Sequence, residues 1–105
     1  MSSRKILFFP RAVRDLEKLD ERFVRQILAD VELLKLDSWP PAKVKKLKGV
    51  ELWEVKTGDY RTLFLPSEDS LVIARVVNRR DLGRAVERFD IRLIFVWLLE
   101  RKSGE

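Results

Sequence analysis

Glu51-Leu52-Trp53-Glu54-Val55-Lys56-Thr57-Gly58-Asp59-Tyr60-Arg61-Thr62-Leu63-Phe64-Leu65 is the stretch on which the fold turns. Glu51 to Lys56 mixes apolar and charged side chains with the short period of a half-buried strand. Thr57-Gly58-Asp59 supplies a turn, with Gly58 as the residue that accepts a positive φ. Tyr60 to Leu65 is a second strand, closed by Pro66-Ser67-Glu68-Asp69. Ser70 to Val77, rich in Val and Ile, is a third. Three short strands at this spacing predict an antiparallel meander. Leu52, Val55, Leu63 and Val76 are its core residues. Trp53 and Tyr60 read as core or cross-strand packing rather than as platforms for stacking bases.

Upstream, Lys5 to Phe9 is a short buried strand that Pro10 ends. From Arg11 the period becomes helical, with Ala12, Val13, Leu16 and Leu19 in one stripe. Asp20 can cap a second helix, in which Val24, Ile27, Leu28, Val31 and Leu34 recur at spacings of three and four. The pair forms a helical hairpin. It stops before Trp39-Pro40-Pro41, because a residue preceding Pro disfavours the α region. Ala42 to Gly49 is a basic connector, and Gly49 is a second turn glycine. Downstream, Asn78 to Arg84 is a charged loop. Ala85 to Lys102 is expected as a helix on its length and charged caps, although the content of Ile91 to Leu99 would also suit a strand. Val86, Phe89, Leu93, Val96 and Trp97 lie on one broad face. Ile91, Ile94, Phe95 and Leu98 spill onto the other. Such a helix needs cover on several sides, from the sheet, a second copy or a partner. The order β-α-α-β-β-β-α predicts an α+β fold: an antiparallel sheet, an N-terminal helical hairpin and an extra C-terminal helix.

The 105 residues fit one domain, 1–105. The absence of Cys excludes disulfides and thiolate metal sites. The absence of His removes the commonest metal ligand and the usual proton carrier near neutral pH. No metal and no organic cofactor is expected, and acid–base chemistry falls to Lys, Arg, Tyr or a carboxylate. The apolar residues before Arg11 are too few for a secretory signal. The longest apolar run, Leu93 to Leu99, is far short of the ~20 residues that span a bilayer. The expectation is a soluble, cytoplasmic protein with no membrane partner. A net charge of +5 and a pI near 9.8 suggest RNA, DNA or an acidic protein as partner. They also fit a solvated, Arg-rich surface.

The cations are grouped. Lys43, Lys45, Lys46 and Lys48 crowd one short segment with no acid among them. Lys56 and Arg61 flank the turn, and Arg79 and Arg80 leave the third strand. In a meander, Lys56, Arg61 and Arg79 can share one sheet face around a common spot. Like charges gathered in this way repel, and the arrangement is usually kept for an anion. The alternative is a set of independent side chains, or salt bridges to Glu51, Glu54 and Asp81.

Lys46-Leu47-Lys48-Gly49, Leu52-Trp53-Glu54-Val55-Lys56, Gly58-Asp59-Tyr60-Arg61 and Val77-Asn78-Arg79-Arg80-Asp81 form one set of motifs. Phe9-Pro10-Arg11-Ala12 and Asp15-Leu16-Glu17-Lys18-Leu19 add a first helix. Together they resemble the RelE/ParE toxin superfamily, nearest its RelE-like mRNA interferases. The resemblance covers residues 5–84 and leaves 85–105 as a C-terminal extension. It implies the toxin of a type II toxin–antitoxin system, cytoplasmic, with a cognate antitoxin whose disordered tail folds on binding. A homodimer and a heterotetramer with the antitoxin are the assemblies it allows. It further implies a ribosome-dependent mRNA endonuclease, with the ribosome and mRNA as partners and the mRNA 2′-OH as nucleophile.

By the same resemblance Arg61 and Arg79 match positions that stabilise the phosphate. Lys56 matches a strand Lys that acts in proton transfer or charge stabilisation; a Lys crowded by cations is suited to take a proton. The implied catalytic set is therefore Lys56, Arg61 and Arg79. Lys43, Lys45, Lys46, Lys48, Arg80 and Arg84 would contact RNA. The chain departs from the family pattern at three places. Glu54 stands where the type toxin has a second Lys, Asn78 where relatives have His, and Gly83 where many have a catalytic Tyr. The scaffold is shared with ParE-like inhibitors of DNA gyrase and with inactive relatives that only bind a partner, and the missing groups suit both.

Overall fold

A computed structural model describes residues 4–103 of the chain. The expectations for the first three residues and for the end of the extension at 104–105 lie outside the described residues. In chain order the elements are β1 (Lys5–Phe8), α1 (Pro10–Glu17), α2 (Glu21–Glu32), β2 (Val44–Lys46), β3 (Trp53–Thr57), β4 (Tyr60–Pro66), β5 (Ser70–Asn78), α3 (Leu82–Arg88) and α4 (Arg92–Ser103). Short 3-10 turns at Leu33–Lys35 and Arg79–Asp81 follow α2 and β5. The strands form one sheet in the order β1-β5-β4-β3-β2, so the fold is α+β.

The β3-β4-β5 meander is antiparallel, as the alternation predicts. Gly58 at its first turn has φ +56°, and Gly49 has φ +76°. The sheet as a whole is mixed, which corrects the expected antiparallel sheet. β1 lies on β5 and runs parallel to it, Lys5 opposite Ser70 and Phe8 opposite Ile73. The helical hairpin carries the chain from β1 to the far edge of the sheet. The meander then returns strand by strand until β5 lies beside β1.

The "basic connector" contains an edge strand. β2 pairs with β3, Val44 opposite Val55 and Lys46 opposite Trp53. Its lysines hid it from a hydrophobic-period reading, and lysines on an edge also discourage further pairing. In α1 the inward stripe is Ala12, Asp15, Leu16 and Leu19, whereas Val13 faces solvent at 41% exposure. Asp15 takes an inward position because it serves β5. Its carboxylate accepts from Arg75 Nε (2.8 Å) and from the buried Val76 N–H (2.9 Å). In α2, Ile27 and Val31 are buried as read, and Asp20 caps the helix by accepting from Arg22 N–H.

The sheet separates two cores. α1 and α2 cover one face, on Val55, Phe64, Leu71, Ile73 and Val76. Here Trp53 meets Trp39 edge to face, and Tyr60 meets Phe23. α3 and α4 cover the other face, on Leu63, Leu65, Val72, Ala74 and Val77. The expected C-terminal helix is two helices. The backbone is extended at Phe89, and Asp90 then accepts from Arg92 N–H (3.0 Å) at the start of α4. α3 also begins earlier than expected, inside the supposed loop. Ile94 is fully buried on the sheet, but Leu93, Phe95, Val96 and Leu99 are more than half exposed. The helix is therefore covered on one side, not on several.

Candidate functional site

β3 alternates its side chains. Val55 and Thr57 point toward α2, where Thr57 Oγ1 donates to Asp30 (2.6 Å). Glu54 and Lys56 consequently point to the opposite face. The register then assembles two rows on that face. Lys45, Glu54 and Leu63 stand side by side across β2, β3 and β4. Lys56, Arg61 and Val77 stand side by side across β3, β4 and β5. The hairpin thus brings Lys56 and Arg61 together as direct cross-strand neighbours.

Arg61 is held rather than free. Its Nη1 donates to the carbonyls of Gly58 and Tyr60, each at 2.9 Å. Its Nε lies 3.6 Å from Glu54 Oε1, and Lys45 Nζ lies 3.6 Å from Glu54 Oε2. Glu54 itself is only 2% exposed. Its Oε1 accepts no hydrogen bond among the described residues. An unsatisfied buried polar atom costs about 1–3 kcal/mol. Such atoms call for an explanation, and active sites are one place where they are kept. The crowded cations of the sequence reading therefore surround a carboxylate. The salt-bridge alternative is partly realised, and Glu54 is its centre.

The other expected residues scatter. Arg79 sits at the turn end of the same hairpin. Its backbone N–H donates to Asp59 O (2.7 Å), and its Nε lies 3.4 Å from Asp59 Oδ1. It is paired there, not with Glu54. Lys43 turns to Asp30 of α2 (3.1 Å). Lys46 Nζ donates to Val50 O (2.9 Å) and lies 4.0 Å from Glu51. Lys48 is exposed in the loop after β2. The four lysines do not share one surface, because β2 sends successive side chains to opposite faces. Arg80 and Arg84 line a groove beside α1. Asn78, in place of the family His, accepts from Arg80 N–H (3.1 Å) and so caps the 3-10 turn. Gly83 is exposed, and a side chain there would meet nothing within 4 Å.

Sequence reasoning noted Glu54 as a departure and as one of three possible salt-bridge partners, and did not see it as the hub of the cluster. The available signal was its position two residues before Lys56, on the same face of one strand. It also missed Arg14, Lys18 and Arg88 as groove residues. Among the described residues no group of three His, Cys, Asp or Glu side chains could hold a metal ion. No described helix is long and apolar enough to cross a membrane.

No protein-family model matches the chain, and no curated protein does. Solved structures do. The RelB-RelE antitoxin-toxin complex of Methanococcus jannaschii matches with a TM-score of 0.61 at 23% identity, over 80% of this chain and 99% of that one. The RelBE2 toxin-antitoxin complex of Mycobacterium tuberculosis matches with a TM-score of 0.62 at 25% identity, over 74% of this chain and 100% of that one. The DinJ-YafQ toxin-antitoxin complex of E. coli matches with a TM-score of 0.63 at 17% identity, over 77% and 98%. Each of these chains is matched almost end to end by this sheet and its helices, and the chain accordingly has the RelE-like toxin fold.

Proposed function

We propose that the protein is the toxin of a toxin–antitoxin pair and cleaves mRNA in the ribosome, with a cognate antitoxin as its protein partner. The likeness to toxins solved in complex with antitoxins supports the partner. The observation that carries the chemistry is the buried Glu54 carboxylate among Lys45, Lys56 and Arg61 on one sheet face.

RNA cleavage by its own 2′-OH needs a proton acceptor, charge stabilisation at phosphorus and a proton for the leaving 5′-oxygen. Lys56, half-buried beside the Glu54 cluster, takes the 2′-OH proton, as the family resemblance implies. The 2′-oxygen then bonds to phosphorus as the bond to the 5′-oxygen breaks. This yields a 2′,3′-cyclic phosphate and a 5′-hydroxyl. Arg61, fixed by the turn carbonyls, and Lys56 beside it stabilise the charge that grows on the phosphoryl oxygens. Lys45 gives a proton to the leaving oxygen. The buried Glu54 carboxylate holds Lys45 and Arg61 in place and does not itself touch the substrate. In this reading Arg79, released from its exposed pairing with Asp59, binds a neighbouring phosphate.

The test is to induce the chain alone in a bacterium and follow labelled amino acid and labelled thymidine, with Arg61→Ala in parallel. Collapse of protein synthesis with a harmless Arg61→Ala is the expected result. Failure of thymidine incorporation first would point to DNA gyrase instead. Accumulation of soluble protein with neither change would make the chain a binding relative without the activity.

A further inference from the structure

We propose that the protein carries a second anion site, a track for the phosphate backbone of single-stranded RNA, in the groove between α1 and α3. The inference rests on the RNA-cleaving reading above. The groove holds about 780 Å³. Its origin is topological. β1 pairs only with Ser70 to Ile73 of β5, and the chain then turns away into α1. The last residues of β5 are left without a strand on that side, and Asp15 takes up the Val76 N–H.

One wall is the 3-10 turn and α3. Arg84 and Arg88 are one turn apart in α3, about 6 Å along its axis, and Arg80 precedes them in the 3-10 turn and lines the same groove. The other wall is α1, where Arg14 and Lys18 are also four residues apart. Among the described residues none of these five cations pairs with a carboxylate. Arg11 and Arg75, in the same groove, are by contrast held by Asp15. Unpaired like charges on two facing walls repel each other, and an anion lying between them relieves that repulsion.

The floor decides which anion. The half-buried rings of Phe9, Tyr60 and Phe89 line it, and a single strand has unstacked bases to lay on such rings. A duplex keeps its bases stacked inside. Tyr60 neighbours Arg61 in β4 but points to the opposite face of the sheet, toward Phe23, so the groove is a site separate from the Glu54 cluster.

The experiment measures binding of a short fluorescent 2′-O-methyl RNA strand by anisotropy over a range of salt concentrations. The blocked 2′-oxygen prevents cleavage. The triple variant Arg14→Ala, Arg84→Ala, Arg88→Ala is compared with Arg22→Ala, Arg25→Ala, Lys35→Ala. The second triple removes the same charge from the α2 side, and circular dichroism confirms that both are folded. A phosphate contact in a single strand contributes about 0.7 to the slope of log affinity against log salt, so the groove triple should flatten the slope by about 2. The α2 triple should leave it unchanged. Equal losses in both triples would reduce the attraction to bulk charge and overturn the track. So would an unchanged slope in the groove triple, or groove-dependent binding that is tighter for duplex DNA or polyglutamate than for the RNA strand. The nuclease reading fails separately: translation that continues in cells, with the groove slope intact, removes the cleavage proposal and leaves the track. Normal arrest with no groove-dependent slope removes the track alone.

Discussion

Glu54 is the residue around which the proposed site is built. Its carboxylate is buried, ion-paired at 3.6 Å with Lys45 and with Arg61, and short of one hydrogen bond. Glu54→Gln keeps the shape but removes the charge that holds Lys45 and Arg61. Single-turnover cleavage on mRNA-programmed ribosomes should fall by about 10²-fold, the range of misplaced catalytic groups. Glu54→Asp should recover part of it; unchanged cleavage by Glu54→Gln would remove the carboxylate from this role. At this scale the sequence was only half legible. That Lys56 and Arg61 meet followed from the turn at Gly58, because a hairpin register brings the residues flanking its turn together. That Lys45 joins them did not, because it depends on a strand whose lysines conceal it.

Among the elements, α4 shows what a helix of nearly uniform apolarity does. Ile94 is fully buried on the sheet and Trp97 meets Phe9 edge to face at 5.4 Å, while Leu99 is 65% exposed. Ile94→Ala should therefore cost about 2–5 kcal/mol in urea unfolding, as for other buried Ile truncations. Leu99→Ala should stay within about 0.5 kcal/mol. Equal effects would mean that α4 is not seated by the Ile94 side. The junction between α3 and α4 is held by Asp90, whose carboxylate accepts from both the side chain and the backbone N–H of Arg92. The side-chain hydrogen bond from Arg92, with the backbone bond second, holds the Asp90 carboxyl below its ordinary range. The element reading placed a helix here correctly but not its break, because a three-residue interruption leaves the hydrophobic pattern unbroken.

On the scale of the whole molecule, Asp15 and Arg75 tie the N-terminal hairpin to the last strand. The pair is largely buried, and Asp15 also accepts the Val76 N–H. Asp15→Ala would leave a buried guanidinium and a buried N–H without their partner. A loss of about 3–5 kcal/mol in urea unfolding is expected, the cost of breaking a buried pair. Asp15→Asn, which can still accept, should lose less. If Asp15→Ala unfolds like the parent chain, the tie is not part of what stabilises the fold.

The α+β class, the meander, the positive φ at Gly58 and the capping of α2 by Asp20 were all determined by the sequence itself, because each depends on residues within a few positions of one another. Only the tertiary structure decided that β1 runs parallel to β5, that Asp15 rather than Val13 faces inward, and that a carboxylate lies at the centre of the cations. Each of these requires partners brought together from distant parts of the chain. Chain period records which side of an element is buried, but not what it is buried against.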